Sequence, residues 1–129
     1  MADPTRDPEE EAPELFSLLK LEGAMPALSH RIWLDVARFE RVNEDLWGLS
    51  FEESDHLVLG RWVLTANQAR RQDRIPALAF RESHQAWRFI VPLVAINRRL
   101  PASFDLEQAA IVSLPGFIRI CRQMPTGPP

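Results

Sequence analysis

The chain is short of several things, and each shortage removes a class of function. Among 129 residues there is one cysteine, Cys121, so no intramolecular disulfide can form and a thiolate metal cluster would need further chains. That usage fits a reducing, cytoplasmic setting. Tyrosine is absent, lysine occurs once (Lys20), and the five glycines are scattered rather than grouped. Neither Gly-x-Gly-x-x-Gly nor Gly-x-x-x-x-Gly-Lys is present, which argues against a loop that cradles phosphates. The longest apolar run, Phe89 to Ile96, includes Pro92 and is far shorter than the roughly 20 residues of a membrane-spanning helix. The N-terminus, Met1-Ala-Asp-Pro-Thr-Arg-Asp-Pro-Glu-Glu-Glu, lacks the basic and apolar regions of a secretory signal. No membrane partner is expected.

What is present suits one soluble domain, with 46% apolar residues, 26% charged residues and a net charge of −3. The net value hides a division. Residues 1–56 carry 14 acidic and 5 basic side chains, whereas residues 57–129 carry 4 acidic and 10 basic. Either the two halves pair within one fold or they address different partners. Pro4, Pro8 and Pro13 punctuate an acidic stretch that cannot build a core, so the expected organisation is a disordered tail over 1–12, a single helical domain over 13–124 and a second tail over 125–129.

Leu15, Leu18 and Leu19 recur at helical spacing, and Gly23 is a plausible stop for a short first helix. Leu28, Ile32, Val36, Phe39 and Leu46 predict a second helix over 27–46, with Arg31–Asp35 and Arg41–Asp45 as i,i+4 pairs on its other side. Ser50-Phe-Glu-Glu53 has capping-box spacing and opens a third helix over 51–72, with Val58, Trp62, Ala66 and Ala69 on one face and Leu59 and Val63 widening it. The alternative there is a hairpin around residues 46–64. Phe80, His84, Trp87 and Val91 share a helical face that Pro92 would kink or end. Leu106, Ala109, Ala110 and Val112 continue the pattern to a turn at Leu114-Pro-Gly116. Phe117 to Met124 closes the chain as a short helix with Ile118 and Cys121 inward, or as a strand through Phe117-Ile-Arg-Ile. Leu and Ala together number 30 against 17 for Ile, Val and Thr. That balance favours an all-α bundle of four to five helices, with an α+β fold carrying the 46–64 hairpin as the alternative.

Catalytic machinery is hard to assemble from these residues. No nucleophile elbow occurs, and the apolar neighbours of Cys121 place it in a core. Glu53-x-x-His56 has the i,i+3 spacing of a carboxylate and imidazole ligand pair, but di-iron bundles need two such motifs and two more glutamates. Glu82 and His84 cannot supply the second. No catalytic residue, metal site or cofactor is therefore expected.

The partner-binding candidates are aromatic and basic. Trp33, Trp47, Trp62 and Trp87 are many for this length, and Trp47, before Gly48 in an expected loop, is the one most suited to face a partner. Arg70, Arg71, Arg74, Arg98 and Arg99 gather near expected helix ends, where they complement the helix dipole or present a basic surface to an acidic protein or a nucleic acid.

The stretch Phe80 to Arg122, with Trp87, Asn97-Arg-Arg-Leu-Pro101 and Ile111-Val-Ser-Leu114, resembles the C-terminal part of the FlaF flagellar-regulator proteins. The resemblance needs a gap and covers the second half only. It implies a helical, partner-binding regulator, in line with the residue-level reading. The functional expectation is a non-enzymatic protein–protein interaction module of a bacterial-type cytoplasmic system, such as an adaptor, assembly factor or regulatory subunit. An Arg-rich nucleic-acid-binding regulator is the alternative, and a metal-dependent enzyme using Glu53 and His56 stands third. Another protein is the expected partner, with nucleic acid and a second copy of the chain as the others.

Overall fold

The leucine spacing near the N-terminus produces the helix it predicts. In the computed structural model, which describes residues 12–39, 51–82 and 86–124, helix α1 (Pro13–Leu21) buries Leu15 and Leu19. It stops where Gly23 takes φ +78°. The Gly23 amide then donates to Lys20 O at 3.3 Å and the Ala24 amide to Leu19 O at 2.9 Å, the two bonds of a Schellman cap. Helix α2 (Met25–His30) follows with Ala27 and Leu28 inward.

Beyond His30 the chain departs from the expected 27–46 helix. It extends as strand β1 (Ile32–Phe39), with Ile32, Leu34 and Val36 buried on one face and Asp35 on the other. Arg31 and Asp35 are therefore not one helical turn apart, and Asp35 reaches Arg61. The Arg41–Asp45 pair lies outside the described residues.

Helix α3 (Phe51–Arg71) matches the expected third helix and overturns the hairpin over its share of 46–64. Trp62, Ala66 and Ala69 are buried as predicted, whereas Val63 is exposed and does not widen that face. Ser50, the side chains of Glu53 and His56, and those of Val58 and Leu59 lie outside the described residues.

Strand β2 (Ile75–Glu82) pairs parallel to β1, with Ile32 opposite Ile75 and Ala37 opposite Phe80. α3 is the crossover that parallel pairing requires. Strand β3 (Arg88–Pro92) returns antiparallel on the other side of β2, and β4 (Ala109–Ser113) pairs antiparallel with β3. The sheet order is β1-β2-β3-β4. These strands replace the helical faces expected over 76–91 and 106–112, so the fold is a four-stranded mixed α+β sheet and not an all-α bundle. A short α4 (Leu93–Ile96) and a 3-10 turn at Leu106–Gln108 join β3 to β4. Leu114-Pro-Gly116, expected as a turn, begins the last helix, α5 (Leu114–Gln123), capped by Ser113 Oγ accepting from the Gly116 amide at 3.2 Å. Ile118 and Cys121 face inward as expected.

Pro76 sits inside β2 without cost to the ladder. The Ile75 amide donates to Arg31 O on the β1 side at 2.9 Å, so the next amide position faces β3, where pairing begins only at Leu78. Two layers cover the sheet. On one face α1, α2 and α5 enclose Ile32, Leu34, Val36, Ala77, Ala79, Phe89 and Val91, with the Phe89 and Phe117 rings stacked at 4.2 Å. On the other, Trp62 of α3 packs with Leu78, Phe80 and Ile90.

Candidate functional site

Chemistry-bearing side chains collect first at the contact between β1 and α3. Alternation along β1 turns Asp35 toward the helix, where Asp35 Oδ1 accepts from Arg61 Nη2 at 2.8 Å and from the Val36 amide at 2.9 Å. Asp35 Oδ2 accepts from Thr65 Oγ1 at 2.9 Å. Arg61 and Thr65 are one helical turn apart, so both reach the same carboxylate. One strand position before β1's Leu34, Trp33 Nε1 donates to Gln68 Oε1 at 3.1 Å. Both carboxylate oxygens of Asp35 are thus occupied by the protein. The cluster fixes α3 on the sheet, and the buried Arg61 Nε has no hydrogen-bond partner among the described residues.

Cys121 is likewise committed to structure. Burial pushes its thiol up to about 12, which leaves almost no thiolate at neutral pH. Among the described residues, no three of His, Cys, Asp and Glu come together in a way that could hold a metal ion. His84 and the side chain of His56 lie outside those residues, and His30 is exposed at the end of α2. No helix among the described residues is long and apolar enough to cross a membrane.

The arginines divide into two groups. Arg61, Arg81 and Arg122 have carboxylate partners in Asp35, Glu14 and Glu22. Each of these pairs joins the acidic first half of the chain to the basic second half, which accounts for part of the charge division within the fold. Arg70, Arg71, Arg98 and Arg99 are exposed and have no carboxylate partner among the described residues. Arg74 is half-buried and turns its Nη1 toward Leu28 O at 3.5 Å, so it belongs to the scaffold. Trp47, the aromatic expected to face a partner, lies outside the described residues. Trp33 is half-buried, and Trp62 and Trp87 are buried.

Phe104 is the aromatic that the sequence reading missed. Its carbonyl accepts from Trp62 Nε1 at 2.7 Å, which ties the connection after α4 onto α3. The Arg70 guanidinium then lies over the Phe104 ring, 5.3 Å from its centroid. A guanidinium in cation–π contact with a ring can still offer N–H groups to an acceptor. Arg71 follows it in the last turn of α3, and Arg98 and Arg99 are in the same connection as Phe104. The signal available in the sequence was an isolated aromatic in the polar stretch Pro101-Ala-Ser-Phe-Asp105.

Comparison with models of known families, with curated proteins and with solved structures finds no match. No family match accompanies the resemblance to the flagellar regulators, and the segment that carried it holds strands β3 and β4 and part of β2 along with α4, the 3-10 turn and most of α5, so it is not all helical.

Proposed function

We propose that this domain is a non-catalytic protein-binding module, an adaptor or regulatory subunit that captures an acidic segment of another protein. The observation that carries the reading is the exposed Arg70 guanidinium, held over the Phe104 ring and without a carboxylate partner among the described residues, with exposed Arg71 following it in the chain. Two exposed arginines in the last turn of a helix can each offer a fork to an Asp- or Glu-rich segment, and Arg forks bind carboxylates in bidentate fashion. A nucleic acid is less well served. The protein carries a net charge of −3, which repels a polyphosphate at long range, and affinity for duplexes rests on several simultaneous phosphate contacts.

Titration of a labelled Glu-rich peptide, followed by fluorescence anisotropy, tests this directly. Saturable one-to-one binding is expected, weakened about tenfold or more in an Arg70→Gln/Arg71→Gln variant, which corresponds to a loss of at least ~1.4 kcal/mol. Preference for duplex DNA, with affinity falling linearly in log salt, would transfer the reading to nucleic acid. Binding that ignores the double substitution would refute the arginine surface.

A further inference from the structure

Among the described residues β4 is an edge of the sheet, and its sequence, Ala109-Ala-Ile-Val-Ser113, has no charge, no proline and a central Ile111 that is 59% exposed. Edges of this kind normally carry a charge or another device that blocks further pairing. The ladder determines which groups face outward. Pro92 has no N–H, so its pairing with Ala109 is of the non-hydrogen-bonded type, and alternation makes Val91–Ala110 and Phe89–Val112 the hydrogen-bonded pairs. The amides and carbonyls of Ala109, Ile111 and Ser113 therefore point to the open edge. Local structure uses two of these: the Ala109 amide donates to Leu106 O, and Ser113, as the cap of α5, gives its carbonyl to the first helical bond.

We propose that β4 pairs antiparallel with β4 of a second copy about a two-fold axis at Ile111. In that register Ile111 exchanges both of its backbone bonds with its counterpart, and each Ser113 amide donates to the other chain's Ala109 carbonyl. Four bonds form, and the two groups already used locally, the Ala109 amide and the Ser113 carbonyl, are the two that would otherwise face each other across the seam. The charges agree with the antiparallel direction. Asp105 and Glu107 precede the strand, while α5 after it carries no carboxylate and an exposed Arg119 with no carboxylate partner among the described residues, Arg122 being paired with Glu22. Antiparallel pairing sets the acidic flank of one copy against the basic flank of the other, whereas a parallel arrangement would oppose like charges. Ile111, on the α3 face of the sheet, is covered by its own mate. An isologous contact of this kind closes after two copies and does not propagate.

The test is sedimentation equilibrium on the full chain across a range of concentrations, with two variants. The wild type is expected to dimerise reversibly, and Ile111→Lys, at a site more than half exposed, to weaken the dimer roughly tenfold or more while far-UV circular dichroism stays that of the wild type. Ile111→Cys is expected to give a disulfide-linked dimer on mild oxidation, since a hydrogen-bonded antiparallel pair holds Cα atoms about 5.5 Å apart, within disulfide range. Buried Cys121 does not compete. A wild type that stays monomeric at every concentration overturns the proposal, whether another segment of the chain or a different protein occupies the edge. So does a dimer indifferent to both substitutions. Peptide binding through Arg70 and Arg71 is read separately, so either proposal can fail alone.

Discussion

At Asp73 the backbone enters the left-handed region, with φ 54°, to close α3. The Asp73 amide donates to Arg70 O and the Arg74 amide to Ala69 O, the same cap that Gly23 gives α1, but here an L side chain occupies the glycine position. Asp73→Gly is expected to stabilise the fold by about 0.5–1 kcal/mol in urea unfolding. Gly60 offers a second such gain. It is exposed on α3 with open space where a Cβ would stand, so Gly60→Ala should add about 1 kcal/mol through helix propensity. A variant less stable than the parent would refute either argument. Cys121 sets a pH limit. Its folded thiol is raised from 9.0 to about 12 by burial, so below pH 9 both states hold the proton, and between pH 9 and 12 the unfolded state ionises first. Stability is expected to fall across that window, and the fall should be shallower in Cys121→Ala when ΔG is measured at each pH.

At the level of elements, the contact between β1 and α3 depends on a buried ion pair. Asp35 is 5% exposed, and removing its charge leaves the Arg61 guanidinium without a counter-ion in a largely enclosed place. Asp35→Asn should cost about 2–4 kcal/mol, while Asp35→Leu combined with Arg61→Leu should recover much of that loss, because both charges then go together. Equal losses in the single and double variants would show that the pair adds nothing specific. The strands were hard to read for a related geometric reason. Leu28, Ile32 and Val36 are four apart, and a step of four suits one helix face and also one strand face, since four is a multiple of two. β2 is buried on both sides from Pro76 to Phe80 and so shows no alternation at all. Alanine also misled, since Ala37, Ala77, Ala79, Ala109 and Ala110 all lie in strands. By contrast, α1 and α3 were legible because helical spacing and terminal residues such as Gly23 and Ser50 pointed the same way, whereas the spacing after Pro115 left helix and strand open for α5. Of the candidate surface, the exposed arginines were legible as a group. The Arg70–Phe104 contact was not, because it depends on how the chain after α4 folds back onto α3.

For the whole molecule, the acidic and basic halves interlock. Asp35–Arg61, Glu14–Arg81 and Glu22–Arg122 tie α1, the turn after it and β1 to α3, β2 and α5. A pair of copies joined at β4 would present two Arg70–Phe104 surfaces, and a partner with two acidic segments would gain from effective concentration. The parallel pairing of β1 with β2 has a consequence for the order of assembly. It joins residue 32 to residue 75, whereas β2 and β3 join residue 80 to residue 88, and closing the longer loop costs more entropy. On the ribosome β1 emerges well before β2, so it must wait through the synthesis of α3 for its strand partner. Its alternating apolar side chains, Ile32, Leu34 and Val36, are the ones a nascent chain would have to keep from other contacts during that interval.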